Sequence, residues 1–555
     1  MAGGSSAPSV HRSSVLATFQ NLVKPFVGAG ILALPAAFKE GGLIASVCLM
    51  ATMALMANYC IRCLLQCLQQ ATETGYLSPK QVSAHRSTAT NSGAAPLLLS
   101  PLVDSTSSSV GHVSLDRITF NPYSVTAPPT FRDIGDLAFG GWGKYAVDVS
   151  LVMSQLGFCT AYVAFIGENM NGVFPSIASH HFMLMAMGLL AVLCQIRQVS
   201  TIAFTSALGN LIYLVSIIII FVDGARNECC MTGRDKTTGE ELVLLNLTGL
   251  PFVFGTACFA LEGIGLILPV KAAMRDADQH RFYFLLNSAV ALVATAYIVF
   301  GSLGYLFYGP AVNPSITANL SPGVVSDAVR VSLCLSLFFS YILQMFPVVD
   351  ISDYAVYCAM RTSEEAEIDQ HNRANRGKPQ AVEDGEREEE EEDEATGNGD
   401  SHHAATAGPT SSSSSLTPPS ASSSSSSSSS RPVSSSSMFA SARTPHLTLS
   451  MIAVQCAVRA GWVGLTALVA IVVSNFGFVV SLTGSLANSL IAFILPALFY
   501  LRLVVHAQHP SPLSDGWTSV KGYILPTVVV VSGVCASFVG VWTAISAEIT
   551  SSKSG

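Results

Sequence analysis

Phe254-Gly-Thr-Ala-Cys-Phe-Ala-Leu-Glu-Gly-Ile-Gly-Leu-Ile-Leu-Pro269 is an apolar stretch that, with its flanks, is long enough to cross a bilayer. It nevertheless carries a carboxylate at Glu262 and is punctured by Gly255, Gly263, Gly265 and Pro269. An ionisable group near mid-bilayer costs roughly 2.5 to 3.5 kcal/mol on insertion scales, and helix breakers at that depth free backbone groups that lipid cannot satisfy. Both costs are met where a segment lines a site. A counterpart lies near the start of the chain, Val27-Gly-Ala-Gly-Ile-Leu-Ala-Leu-Pro35, again apolar and again interrupted. Two broken spans in matching places point to the binding site of a secondary transporter.

The rest of the chain provides the setting. Of 555 residues, 50% are hydrophobic and only 12% charged, and repeated apolar runs of about 18 residues or more predict a polytopic helical membrane protein. The net charge of -8 belongs to one loop: residues 351–400 hold 16 acidic and 5 basic side chains, leaving +3 for the remainder. Most of the 13 cysteines, Cys48, Cys159 and Cys258 among them, lie in apolar runs, where a thiol behaves as a small hydrophobe. Metal-ligand spacing is absent, and no phosphate-binding loop, His-Glu-x-x-His or nucleophile elbow appears, so neither a metal site nor an enzyme is expected.

Eleven spans are predicted, at about 14–34, 42–67, 144–167, 181–196, 200–222, 248–270, 283–307, 325–348, 458–474, 478–501 and 521–546. Gln195, Arg197 and Gln198 divide the fourth from the fifth. The resulting order is a short cytoplasmic N-terminus (1–12), spans one and two (13–68), a disordered cytoplasmic insertion (69–142), spans three to eight (143–348), an acidic and Ser-rich disordered cytoplasmic loop (349–457), spans nine to eleven (458–547) and a tail (548–555). Lys and Arg concentrate on the face shared with the N-terminus, which sets that face as cytoplasmic and the C-terminus as lumenal or extracellular. The candidate sequons at Asn246 and Asn319 fall on the opposite face.

Breaking a helix at Gly28-Ala29-Gly30 exposes N–H groups on one half-helix and carbonyls on the other, a match for the carboxylate and ammonium of an amino acid. The alternative is that the glycines serve close helix packing. Glu262 is a candidate proton-coupling group, because burial disfavours the charged carboxylate; the alternative is a structural hydrogen bond or ion pair. Ser332, Ser336 and Ser340 share one helix face and either pack tightly or, at Ser336 and Ser340, help hold a sodium ion. Lys24 reads as a snorkelling side chain near a span end.

Four stretches resemble the eukaryotic amino acid/auxin permease family, in its proton-assisted and vacuolar branches: Leu22 to Phe38, Ser154-Gln-Leu-Gly-Phe-Cys159, Phe254 to Pro269, and Ile298 to Gly309. The resemblance implies an all-α polytopic membrane protein of about eleven helices with a LeuT-like core of two inverted five-helix repeats, in which helices one and six are broken. It further implies amino acid transport, often proton-coupled; Ser336, Ser340 and the carbonyls near Gly28 leave sodium coupling open, and no other cofactor and no nucleic-acid partner are expected. Carried over, Gly28, Ala29, Gly30 and Ile31 receive the substrate carboxylate, Thr256, Phe259 and Glu262 form the facing wall, and Tyr162 gates it. The chain departs from the family at Asn21, where proton-assisted members carry a histidine, and at Val270-Lys271-Ala272, where an acidic residue and an asparagine usually stand. The family's outer disulfide also lacks a partner for Cys229 or Cys230. The implied protein sits in a vacuolar or lysosomal membrane or in the plasma membrane. A rival reading is an amino acid sensor that signals through its cytoplasmic loops.

Overall fold

The computed structural model describes residues 13–26, 28–73, 130–195, 200–227, 241–376, 449–473, 475–505 and 517–554. Their regular elements are all helical, and Ser13 and Met274 pair in an isolated β-bridge. Eight helices are long and apolar enough to cross a membrane, or nine if the bent pair at the start counts as one span. The chain is thus an all-α polytopic membrane protein.

In chain order the helices are α1 Val15–Val23, α2 Gly30–Gly41, α3 Leu43–Glu73, α4 Phe131–Phe139, α5 Gly141–Val173, α6 Ser179–Leu193 and α7 Ser200–Asn227. There follow α8 Leu250–Ala260, α9 Ile267–Ala273, α10 Phe282–Tyr308, α11 Val324–Arg376, α12 Leu449–Val473, α13 Phe476–Val505 and α14 Trp517–Ser554. The shorter apolar helix α6 and the helix α7 occupy the places of the expected fourth and fifth spans.

Burial separates a centre from a rim. In α13, in the Leu247–Ala273 span and in α5, 83%, 72% and 67% of the apolar window is buried, against 22% and 28% in α14 and α12. The first three therefore form the core, while Trp542 and Phe538 on α14 face outward, as lipid-facing side chains do.

Local signals place the helix ends. Ser14 caps α1 by accepting from the Ala17 N–H, and Thr130 with Asp133 forms a capping box at α4. At α13 the cap is tertiary: Asn475 accepts from the Phe478 N–H while Glu168 on α5 accepts from the Phe476 N–H at 2.8 Å. α13 then opens into π-helical turns at Gly484–Asn488 and Leu490–Ile494, just before Pro496, which has no N–H to give to the preceding turn.

Both expected cytoplasmic insertions are narrower than the sequence reading. Residues 69–73 and 131–139 are helical, as are 141–142, 349–376 and 449–457. The correction at 131–139 has a clear cause, since the capping box starts the helix and Arg132 anchors it to Asp148 on α5 at 2.8 Å. The rest of both insertions, residues 1–12, Arg197, Gln198, Cys229 and Cys230 lie outside the described residues. The chain divides into two units, Met1–Met360 with Thr448–Gly555, and Arg361–Leu447. The helices and contacts discussed below belong to the first.

The two sequon asparagines are built into the fold. Asn246 Nδ2 donates to the Glu40 carbonyl at 2.7 Å and Asn319 Nδ2 to the Ala311 carbonyl at 2.8 Å. A glycan would have to displace these bonds.

At the Ser13 end of the spans, Arg459 on α12 is 4% exposed, pairs with Asp353 and donates to the Gln195 carbonyl at 3.3 Å. Trp462 donates to Ser352 Oγ at 2.8 Å alongside. Arg459→Ala leaves the Asp353 carboxylate half-enclosed without its cation and should destabilise the protein by about 3 kcal/mol. Thermal unfolding in detergent, followed by fluorescence-detected gel filtration, checks this.

Candidate functional site

The two broken spans are tied to each other along their whole length. At one end, the Ser13 N–H donates to the Ala273 carbonyl at 2.8 Å and the Arg275 N–H to the Ser13 carbonyl at 3.3 Å, joining the start of α1 to the end of α9. At the other, Leu43 and Ile44 donate to the carbonyls of Val243 and Leu244, each at 3.0 Å, and Asn246 donates to Gly41, joining the end of α2 to the approach to α8.

Between these ties both helices come apart at the same depth. α1 passes through a 3₁₀ turn at Lys24–Phe26, and α2 begins at Gly30, bent by 55° from it. α8 ends at Ala260, and the chain resumes with a 3₁₀ turn at Ile264–Leu266 before α9. The breaks face each other. A Cβ at Gly30 would lie 2.9 Å from Ala260 Cα and 3.0 Å from Phe259 Cδ1, so only glycine permits this approach. A Cβ at Gly263 would come to 3.0 Å from the Phe26 ring.

The sequence-derived residues separate into three groups. Gly28 is half-buried, and the space beside its Cα leads to the Tyr162 hydroxyl, 3.8 Å from where a Cβ would stand. Ala29, Gly30 and Ile31 are buried at the N-terminus of α2. Phe259 is 1% exposed and its ring meets Phe158 of α5 at 4.2 Å between centroids. Tyr162 of α5 is buried beside the first break. These residues, with Glu262, are brought together.

Thr256 is buried in the same half-helix, but its hydroxyl donates to the Phe252 carbonyl at 3.0 Å, so its proton is used within α8. Ser336 and Ser340 form the third group. The Ser336 hydroxyl stands against Gly209 of α7, Ser340 donates back to the Ser336 carbonyl at 2.9 Å, and no hydrogen bond among the described residues joins either side chain to a break.

Glu262 is the carboxylate at the breaks. It lies in the unwound turn after α8, half-buried, and among the described residues its carboxylate has neither an ion-pair nor a hydrogen-bond partner. The structural ion pair considered from sequence is therefore not made. An acidic side chain left unmatched at mid-span is the kind of group that serves ions or substrates.

Sequence reasoning missed two tyrosines here. Tyr297 of α10 donates to the Phe26 carbonyl and lies 3.2 Å from the Ala260 carbonyl, so one hydroxyl serves the carbonyl ends of both broken helices. Tyr213 of α7 is buried, and its hydroxyl has no hydrogen-bond partner among the described residues. The available signal was a phenol in the middle of an otherwise apolar run, since a buried tyrosine hydroxyl needs a partner. Lys24, expected near a span end, instead closes α1 just before the break. It is exposed there together with Gln20 and Asn21.

The arrangement is that of a helical carrier, with two interrupted helices held face to face around an unmatched carboxylate. A profile described as "Transmembrane amino acid transporter protein" matches residues 11–81 and 119–546, and the chain belongs to that family. Its relatives include the Arabidopsis thaliana "Amino acid transporter AVT3C", 26% identical over 61% of this chain and 70% of the relative. "Amino acid transporter AVT3A" of the same plant is 29% identical over 63% and 71%. The Saccharomyces cerevisiae "Vacuolar amino acid transporter 4" is 26% identical over 61% of this chain and 40% of its own length.

Tyr297→Phe should remove the shared donor and destabilise the protein by about 1 kcal/mol, with the loss concentrated at the breaks. Hydrogen exchange of the peptides spanning residues 20–32 and 258–266, compared with α12, checks that localisation.

Proposed function

We propose that the chain is a secondary active transporter of small neutral or cationic amino acids, that it works by alternating access, and that protons drive it through Glu262. The observation that carries the reading is the Glu262 carboxylate, without a partner among the described residues, in the unwound turn beside Gly263, which packs on the Phe26 ring. In this mechanism the substrate carboxylate takes the N–H groups at Gly28 to Ile31, where the positive end of the α2 dipole lies. The substrate ammonium takes the carbonyl ends at Phe26 and Ala260, displacing the Tyr297 hydroxyl from one of them. Binding therefore competes with a bond that holds the two breaks together, which couples occupancy to the geometry of both half-helix pairs.

The first and sixth spans act as counterparts in two inverted repeats, rocking as a unit because their ends are hydrogen-bonded to each other. The exposed polar face of Gln20, Asn21 and Lys24 gives water and substrate a path to the break from the Ser13 side, the cytoplasmic side in this reading. Support for amino acids as the substrate class and for a vacuolar-type membrane comes from the names of the relatives. Of the two serines considered for a sodium ion, Ser340 donates to its own helix, while the buried Ser336 hydroxyl stands against Gly209 with no hydrogen-bond partner among the described residues.

In proteoliposomes with an imposed pH gradient, Glu262→Gln should lose at least tenfold of the gradient-stimulated uptake of radiolabelled amino acid and keep amino acid exchange at zero gradient. Unchanged gradient stimulation in the variant overturns the coupling role, and absence of flux for every amino acid in the folded wild type overturns transport.

A further inference from the structure

Helix α13 carries a polar group with no use in the mechanism above. Asn488 is 0% exposed, and both its amide nitrogen and its amide oxygen are without a hydrogen-bond partner. It ends the π-helical turn Gly484–Asn488, and π-turns recur at functional sites because the widened turn aims a side chain where an α-helix would not.

The packing register shows what Asn488 faces. α5 and α13 run antiparallel: Glu168 meets the Phe476 N–H, the rings of Phe165 and Phe476 lie 5.4 Å apart, and Gly157 stands against Thr483. Continued by one turn on each helix, that register brings Ser154 of α5 to the level of Asn488 on α13. Ser154 is also 0% exposed, and its hydroxyl is also unpartnered.

The layer above this pair is the edge of the substrate site. Phe158, one turn from Ser154, packs against Phe259 with the rings tilted by 45°, and a Cβ at Gly484 would lie 2.9 Å from the Phe259 backbone nitrogen. Phe259 in turn packs against Gly30. Phe158 and Phe259 thus connect the helix turns that carry Ser154 and Asn488 to the break.

We propose that Ser154 and Asn488 form a side-chain subsite that selects neutral amino acids with an amide or hydroxyl side chain. The inference rests on the transport reading above, since it presupposes an amino acid held in the break with its side chain reaching past Phe259. Both groups are neutral and each can donate and accept, which matches an amide or hydroxyl and not a carboxylate or an ammonium. A buried amide with every hydrogen-bonding position open is costly, and that cost is recovered when a ligand supplies the partner. Such a site discriminates against the apolar isostere by leaving its own groups unpaired.

The test uses the full chain in proteoliposomes and near-isosteric substrate pairs, asparagine against leucine and threonine against valine, for wild type, Asn488→Leu and Ser154→Ala. The asparagine-to-leucine uptake ratio should fall about tenfold in Asn488→Leu with leucine uptake retained, and both ratios should fall in Ser154→Ala. Replacing an unpartnered amide by an apolar group of similar shape should leave the melting temperature in detergent unchanged or raised. If Asn488→Leu does not fold, Ser154→Ala decides alone. Wild-type ratios in the folded variants, with flux intact, overturn the subsite and leave transport standing. No flux of any amino acid in wild type overturns the transport reading and this inference with it.

Discussion

The structure depends on the pairing of two helices that lipid could not tolerate singly. An interrupted span leaves carbonyl and N–H groups at mid-membrane with nothing to bond, a cost of several kcal/mol for each group. Here α1–α2 and α8–α9 break at the same level and meet there, with Tyr297 between their carbonyl ends and backbone hydrogen bonds joining them at both extremities. Buried segments of α5, α10 and α13 pack against the pair through Phe158, Tyr297 and Gly484.

This pairing limits how the molecule can move. Three sets of ties, at Ser13–Met274, at the breaks and at Gly41–Asn246, make independent motion of either broken span expensive. The contact of α2 with α8 at Gly30, and of α8 with α13 where a Cβ at Gly484 would fall 1.7 Å from the Gly255 carbonyl oxygen, adds backbone-to-backbone packing of the kind small residues allow in membranes. On the Ser13 side, the Asp353–Arg459 pair with the Gln195 carbonyl fastens α11, α12 and the end of α6 to one another. Displacements at the breaks therefore have a stiff surround to work against.

Much of this was legible in the sequence, for a reason that differs by residue. Gly28, Gly30, Gly263 and Glu262 stand out because each contradicts its apolar surroundings, and such contradictions are kept where they serve a site. The serine stripe at Ser332, Ser336 and Ser340 also showed a periodicity, but periodicity names a face and not its neighbour. The neighbour at Ser336 proved to be Gly209, with no bond to either break. Tyr213, Tyr297 and Asn488 drew no attention, since a tyrosine or asparagine in a hydrophobic run is ordinary until its surroundings are known. The helix at 131–139 was hidden for a similar reason: its amphipathic pattern is short, and the Asp148 that holds Arg132 belongs to the next helix.

The sequence by itself determined that the chain is a bundle of membrane-crossing helices with two interrupted members and one mid-span carboxylate. Those features follow from hydropathy, helix breakers and the cost of charge in lipid, all local quantities. Only the tertiary structure decided that the two breaks face each other, that one phenol serves both, and that Glu262, Ser154 and Asn488 are without side-chain partners among the described residues. These depend on which helices are neighbours and in what register, and register between helices of one apolar composition is set by close contacts such as Gly30 on Ala260 and Gly157 on Thr483. A linear pattern carries the face of each helix, and the choice of partner arises only when all the faces are packed at once.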